Sequence, residues 1–212
     1  MFLSNFGLSD DAIQLISGNV IYEKGRIIFP FSFGVEKDFS AEVISINRHV
    51  EKANTGLYIV EPYKYSMKRV AYFFQNMLDL LFFYDNNIKT AFNSAVLVVD
   101  PLPPNNNHIQ LFKQKYINVK EFVIVSSNDF VGKCREIILS SYFNNTNARV
   151  NMFDETLYIN IDNKEMIIDV DKFDYKKFIK FYSFPKTTKV IKPKGFKTFT
   201  ELYNKYSLKH SS

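Results

Sequence analysis

Apolar and polar positions along the chain change period several times, and each change marks a candidate element. Residues 8–17 (LSDDAIQLIS) place Ser9 and Asp10 as capping residues ahead of apolar Ile13, Leu15 and Ile16, and Gly18 closes the pattern, so a short helix is predicted. Residues 19–22, the turn Glu23-Lys24-Gly25 and the run 26–33 (RIIFPFSF) read as a strand pair whose Pro30 belongs at an edge or a strand end. Alternation over 41–48 (AEVISINR) adds another strand. The first sixty residues thus predict a helix feeding a small antiparallel sheet.

From Arg69 the pattern becomes that of buried strands separated by helices. VAYFF (70–74), AVLVV (95–99) and FVIV (122–125) are continuous apolar runs, the signature of strands covered on both faces. Between and after them, residues 77–84, 108–116 and 131–143 read as helices, the last with apolar spacing at Val131, Cys134, Ile137, Ile138 and Tyr142. Such alternation predicts a parallel sheet with right-handed crossovers, whose ligands gather beyond the carboxyl ends of the strands. After Arg149 the pattern turns antiparallel. LYINI (157–161), the turn Asp162-Asn163-Lys164 and EMIIDV (165–170) predict a hairpin, and residues 171–184 a short amphipathic helix with Phe173, Phe178, Ile179 and Tyr182 inward. Residues 185–195 read as a basic linker and 199–206 as a last helix. The expected class is α/β: an α+β N-terminal subdomain (1–62), a parallel sheet flanked by helices (63–150), a hairpin and helix extension (151–185) and a basic tail (186–212).

Composition sharpens this picture in three places. Net charge is +5 over 212 residues, but positions 176–212 hold ten lysines against the one acid Glu201, leaving 17 basic and 21 acidic residues in positions 1–175. The positive field is therefore concentrated at one end, which suits a polyanionic partner as well as a merely solubilising tail. The single cysteine, Cys134, excludes an internal disulfide and a cysteine-rich zinc cluster, and His49, His108 and His210 show no ligand spacing. Neither a signal sequence nor an apolar run of bilayer-spanning length is present, so a soluble cytoplasmic chain with no membrane partner is expected. Abundant Asn, Lys, Ile, Phe and Tyr without Trp suits an AT-rich coding sequence, as in a phage or mobile element.

Two short motifs give the order of elements a family context. Gly7-Leu8-Ser9, a helix, and then Gly25-Arg26-Ile27-Ile28-Phe29-Pro30 resemble the N-terminal basic subdomain of bacterial primases and phage primase-helicases, and Ile46-Asn47-Arg48 sits where that family ends a strand near its template. Residues 69–150 look like the Toprim domain that follows in the family. The resemblance implies carboxylates at strand ends that hold Mg²⁺ or Mn²⁺, hard cations with oxygen ligands that activate a 3′ hydroxyl and neutralise phosphates.

At those positions the chain departs from the family. Where the family has a glutamate and glycine after the first strand and an aspartate four residues past the glutamate, this sequence reads Gln75-Asn76-Met77-Leu78-Asp79. Where it has two aspartates around one residue, then a glycine and a basic residue, this sequence reads Ser127-Asn128-Asp129-Phe130-Val131-Gly132-Lys133. Gln75, Asn76 and Ser127 are thus degenerate catalytic positions, and Asp79, Asp129 and, at the end of the middle strand, Asp100 are the remaining candidate metal ligands, with Asp154 and Glu155 as substitutes. Neutral groups cannot offset the dehydration of Mg²⁺, so an eroded metal centre is expected. The plain structural roles are an N-cap for Asp129, and a cap or a partner of Arg69 for Asp79. Arg26, Arg48, Lys52, Lys64, Lys68 and Lys133, with Arg69, are the candidate nucleic-acid contacts. The resemblance implies a primase-like replication protein that binds single-stranded DNA or RNA, or replisome and other phage proteins. The alternatives are a phage structural or assembly protein reusing the fold for protein contacts, and an active Toprim primase (a nucleotidyltransferase) or nuclease.

Overall fold

The computed structural model describes residues 7–18, 20–23, 25–31, 33, 41–45, 50–52, 56–87, 92–100, 103–199 and 201–202. Helix α1 (Asp10–Ile16) starts where Ser9 Oγ accepts the Ala12 N–H, and it buries Ala12, Ile13 and Ile16. Strands β1 (Ile21–Glu23), β2 (Arg26–Pro30), β3 (Ala41–Ser45) and β4 (Val50–Lys52) form an antiparallel sheet in chain order, with Pro30 ending its strand as its missing N–H requires.

The central sheet is mixed. Strands β6 (Val70–Phe74), β7 (Ala95–Val99) and β8 (Glu121–Val125) are parallel, and the order is β12-β8-β6-β7-β5. Its edges are β5 (Tyr58–Val60), antiparallel to β7, and β12 (Thr188–Ile191), parallel to β8. Neither edge strand is predicted from the sequence. The three residues of β5 are too short for a periodic signal, and β12 (TKVI) lies among lysines that read as a basic linker and tail. Residues 188–191 correct that expectation: the edge is held by Lys189 Nζ on Glu121 Oε2 at 2.7 Å, and past it Asn128 Nδ2 donates to the carbonyls of Pro193 and Phe196. Part of the helix expected over 199–206 lies outside the described residues.

Period two divides the sheet's side chains between two cores. Tyr72, Phe74, Leu97, Val99, Val123 and Val125 face α1 and α2 (Met77–Asn86), whereas Ala71, Phe73, Val96, Val98, Phe122 and Ile124 face α3 (Asn106–Lys115) and α4 (Phe130–Phe143). The result is a mixed α/β fold with helices on both faces. The first core also takes in Ile27, Phe29, Phe31 and Ile44 of the N-terminal segment, with Phe29 meeting Tyr58 edge to face at 6.0 Å. On α4 the expected face is buried in part, with Ile137 and Cys134 packed on the extension and Val131 exposed, and a second face of Gly132, Arg135, Glu136, Leu139 and Phe143 is buried as well.

The expected hairpin is real but has a third strand. β9 (Arg149–Phe153), β10 (Thr156–Ile161) and β11 (Lys164–Asp169) form an antiparallel sheet, and the two-residue turns Asp154-Glu155 and Asp162-Asn163 take positive φ throughout, which suits the twist of hairpins. A short 3-10 turn leads to α5 (Tyr175–Phe181), capped by Asp174; Phe178 and Tyr182 are buried against Leu157, Ile159 and Ile161, with Phe173 and Ile179 packed around them. Among the described residues no helix is long and apolar enough to cross a membrane.

Phe73 illustrates what the core contributes. It is fully buried, with ring centroids 5.2 Å from Phe112 and 4.9 Å from Phe143. Phe73→Ala is expected to lower unfolding free energy by roughly 3–5 kcal/mol in a urea titration, against within about 0.5 kcal/mol for the exposed Asn151→Ala.

Candidate functional site

Three turns meet beyond the carboxyl ends of the adjacent strands β8, β6 and β7, and they carry the positions that the sequence singles out. The β6–α2 turn presents Gln75, Asn76 and Asp79, Asp100 ends β7, and the β8–α4 turn presents Ser127 and Asp129. Several of these polar groups have an identifiable structural task. Asn76 is the N-cap of α2: its Oδ1 accepts the Asp79 N–H at 2.8 Å, and its Nδ2 donates to Asp79 Oδ2 at 3.0 Å. Asp129 is the N-cap of α4, with Oδ1 accepting the Gly132 N–H at 2.8 Å and the Ser127 hydroxyl at 2.6 Å. Gly132 is required here, because a Cβ would lie 2.3 Å from the Ser127 carbonyl oxygen.

Beneath these turns lies a side chain absent from the sequence-derived list. Arg135 of α4 is 1% exposed, and its Nη1 donates to the carbonyls of Val125 at 3.2 Å and Phe73 at 3.4 Å, the C-terminal parts of β8 and β6. Its Nη2 lies 3.8 Å from Asp100 Oδ2, and Asp100 is equally buried. Burial pulls the guanidinium pKa down, while the charges of Asp100, Asp79 and Glu136 pull it back up. Arginine does not deprotonate in proteins, so a permanent cation sits among Asp79, Asp100 and Glu136.

Two further carboxylates close the arrangement. Glu136 is fully buried and pairs with Lys192 at 2.8 Å, bringing the segment after β12 onto α4. Desolvation nevertheless raises its pKa, with Lys192, Ser126 and Arg135 opposing the shift. Glu42 of β3, also fully buried, accepts the Met77 N–H through both carboxylate oxygens at 3.1 Å, adding an acid at the positive end of α2. Its place was legible, because Glu42 shares the inward face of its strand with Ile44.

The residues do not fit a two-metal centre. Positions 75 and 127 are uncharged, Asp129 and Asp79 bond to helix starts, and Asp100 faces Arg135. Among the described residues no cluster of three or more His, Cys, Asp or Glu side chains is placed to hold a metal ion. At an effective dielectric of about 20, a divalent cation about 4 Å from a guanidinium meets roughly 8 kcal/mol of repulsion. Asp154 and Glu155, the expected substitutes, form the β9–β10 turn instead.

The candidate nucleic-acid contacts divide. Arg26 is exposed at the start of β2, and Lys64 and Arg69 are exposed around the loop between β5 and β6. Lys68 is 7% exposed and is used internally: its Nζ donates to the Tyr63 carbonyl and to Ser66 Oγ at 3.0 Å, and lies 3.7 Å from Glu61. Lys133 Nζ donates to the Val170 carbonyl at 2.7 Å, tying α4 to the end of β11. Lys52 belongs to β4, and Arg48 lies outside the described residues. Burial pushes the Cys134 thiol up to about 11, the opposite of nucleophile activation, and His108 Nδ1 accepts the Gly56 N–H at 3.3 Å.

Removing one partner of a buried pair strands the other charge, so Arg135→Ala is expected to cost roughly 3–5 kcal/mol, and Asp100→Leu combined with Arg135→Met to recover most of it in the same urea titration. A neutral single variant would contradict the pairing. For Glu136 the raised pKa means that ionisation costs more in the folded than in the unfolded chain. Wild type should therefore lose stability relative to Glu136→Gln as pH rises through the carboxylate range, as thermal melts across that range would record.

Comparison with known proteins adds a structural likeness. No family model matches the chain, and no curated protein matches it. The chain is similar to a solved structure of the DnaG primase catalytic domain bound to ssDNA, with a TM-score of 0.43 and 12% sequence identity, over 98% of this chain and 70% of that one.

Proposed function

We propose that this chain is a primase-like DNA replication protein of a phage or mobile element that holds single-stranded DNA or RNA, or docks on replisome partners, without synthesising primers by itself. The observation that carries this reading is Arg135, a buried cation set against Asp100 at the strand ends where a Toprim centre would gather its ions. Arg135 opposes the charge of Asp100 and Lys192 that of Glu136, while Asp79 and Asp129 are engaged at the starts of α2 and α4 and Glu42 accepts the Met77 N–H, so each acid there already has a partner within the chain.

Positive charge on the outside supports the binding half of the proposal. Around α5, Lys176, Lys180 and Lys186 line a cavity of about 730 Å³ together with Ile179 and Phe184, and Lys177 is exposed nearby. Phosphate backbones are attracted to such a cluster by counterion release. The sequence motifs at residues 7–9 and 25–30 agree with a template-gripping subdomain. A second reading, an assembly protein, is favoured by the outer face of β9–β11, where Tyr158 stands opposite Ile167 and Phe153 is 69% exposed.

Fluorescence anisotropy with a labelled oligothymidine should show binding that weakens steeply as salt rises, and Arg26→Glu should weaken it further. Template-directed synthesis assays with Mg²⁺ or Mn²⁺ should give no product. Salt-independent or absent binding, or a product abolished by Asp129→Ala, would overturn the proposal. Stoichiometric capture of a phage protein unaffected by nuclease would favour the assembly reading instead.

A further inference from the structure

A cavity of about 710 Å³ opens at the other end of the central sheet, against the loop between β5 and β6 and the C-terminal end of α3. Strand β5 runs antiparallel to β7, so this loop lies at the amino ends of the parallel strands, away from the crevice that holds Arg135. The volume falls within the range of small-molecule sites, about 300–1,000 Å³.

Its walls combine aromatic rings with cations. Phe33 and Tyr116 line it, and the Lys115 ammonium stands 5.0 Å from the Phe33 ring centre and 5.5 Å from that of Tyr116. Lys64 is the second cation of the lining, and among the described residues neither lysine forms a salt bridge or a hydrogen bond. The one acid of the lining, Glu61, is already occupied: Tyr116 Oη donates to it at 2.7 Å, and Lys68 lies 3.7 Å away. The repulsion that a carboxylate would offer an anion is thereby offset.

The loop is also held in shape. Ser66 donates through Oγ to the Tyr63 carbonyl at 2.9 Å, and the buried Lys68 ammonium bonds the same carbonyl and Ser66 Oγ. That staple leaves Tyr65 wholly exposed, with Tyr63 and Met67 exposed on either side of it. Aromatic rings kept in water on a fixed loop beside cations fit planar, anionic ligands, because stacking takes the base and the ammonium groups take the phosphate.

We infer that this cavity and the Tyr63–Met67 loop form a nucleotide subsite that takes one base of a single strand against Phe33 and Tyr116, with Lys64 and Lys115 on the flanking phosphates and Tyr65 stacking on a neighbouring base. This rests on the proposed single-strand binding and deepens it, placing the contact at the amino end of the sheet.

The test is anisotropy with a labelled dT12 across a salt series, using wild type, Lys64→Glu/Lys115→Glu and Tyr65→Ala, with unlabelled dTMP as competitor and circular dichroism to check folding. The double reversal should weaken binding at least about tenfold and lower the slope of log K against log salt by about 1.4, two phosphates at about 0.7 each. Tyr65→Ala, whose side chain lies in solvent, should leave the circular dichroism that of wild type and weaken binding about tenfold with the slope unchanged. Displacement by dTMP would mean that the subsite also accepts free nucleotide, and loss in the variants without such displacement that it reads a base only within a strand. Wild-type binding with both variants unchanged would overturn the subsite and leave the broader proposal standing, whereas absence of wild-type binding would overturn both.

Discussion

Arg135 joins three strands to one helix through a single planar group: carbonyls of β6 and β8 accept from Nη1, and Asp100 at the end of β7 faces Nη2. A guanidinium fully removed from water is costly unless its surroundings replace hydration, and here two backbone carbonyls do so for Nη1 and the Asp100 charge faces Nη2, while Nε and Nη2 make no hydrogen bond among the described residues. Asp100 thereby faces a buried cation rather than solvent. What remains at the mouth is a set of helix caps, Asn76 for α2 and Asp129 for α4, whose groups satisfy backbone N–H donors.

This internal compensation also explains the course of the C-terminal segment. Glu136, next to Arg135 on the buried face of α4, draws Lys192 onto it, and Lys189 pairs with Glu121 on the neighbouring strand. Two of the ten lysines that look like solvated tail charge are thus used to fix an edge strand. Covering the β8 edge in this way removes an unpaired ladder, a known route to aggregation. On the opposite edge, β5 joins the central sheet while β1–β4 keep a sheet of their own, and Tyr58 of β5 packs against Phe29 and Phe31 within the shared core.

Much of this was legible in the sequence because the central strands are continuous apolar runs and their helices follow at regular distance. The alternation that places Phe73 and Phe74 on opposite faces is a direct consequence of the pleat. Among the strands that escaped, β5 (YIV), β9 (RVNMF) and β12 (TKVI) are short or interrupted by polar residues, and each is a strand because a neighbour offers its edge. At the candidate site, the cap Asp129 was visible as a polar group at a helix start, whereas the cap of α2 is Asn76 and Asp79, read as a possible cap, sits in its first turn. The central group was not. Arg135 and Glu136 look like surface charges, yet they share the face of Gly132, Leu139 and Phe143 at three- and four-residue spacing, a face that Gly132 must turn toward Ser127. The close approach of that glycine, together with the burial of Leu139 and Phe143, sets α4 so that a charged pair faces inward.

With the buried Arg135 guanidinium set against Asp100, the strand ends are expected to take up no pair of divalent ions. Titrating the chain with Mn²⁺ and following the free-ion signal by electron paramagnetic resonance tests it most directly. The expected result is a signal that rises in step with added metal, as in buffer, with no saturable uptake at micromolar concentration. Uptake of two equivalents of Mn²⁺ per chain, abolished by Asp100→Asn, would contradict it.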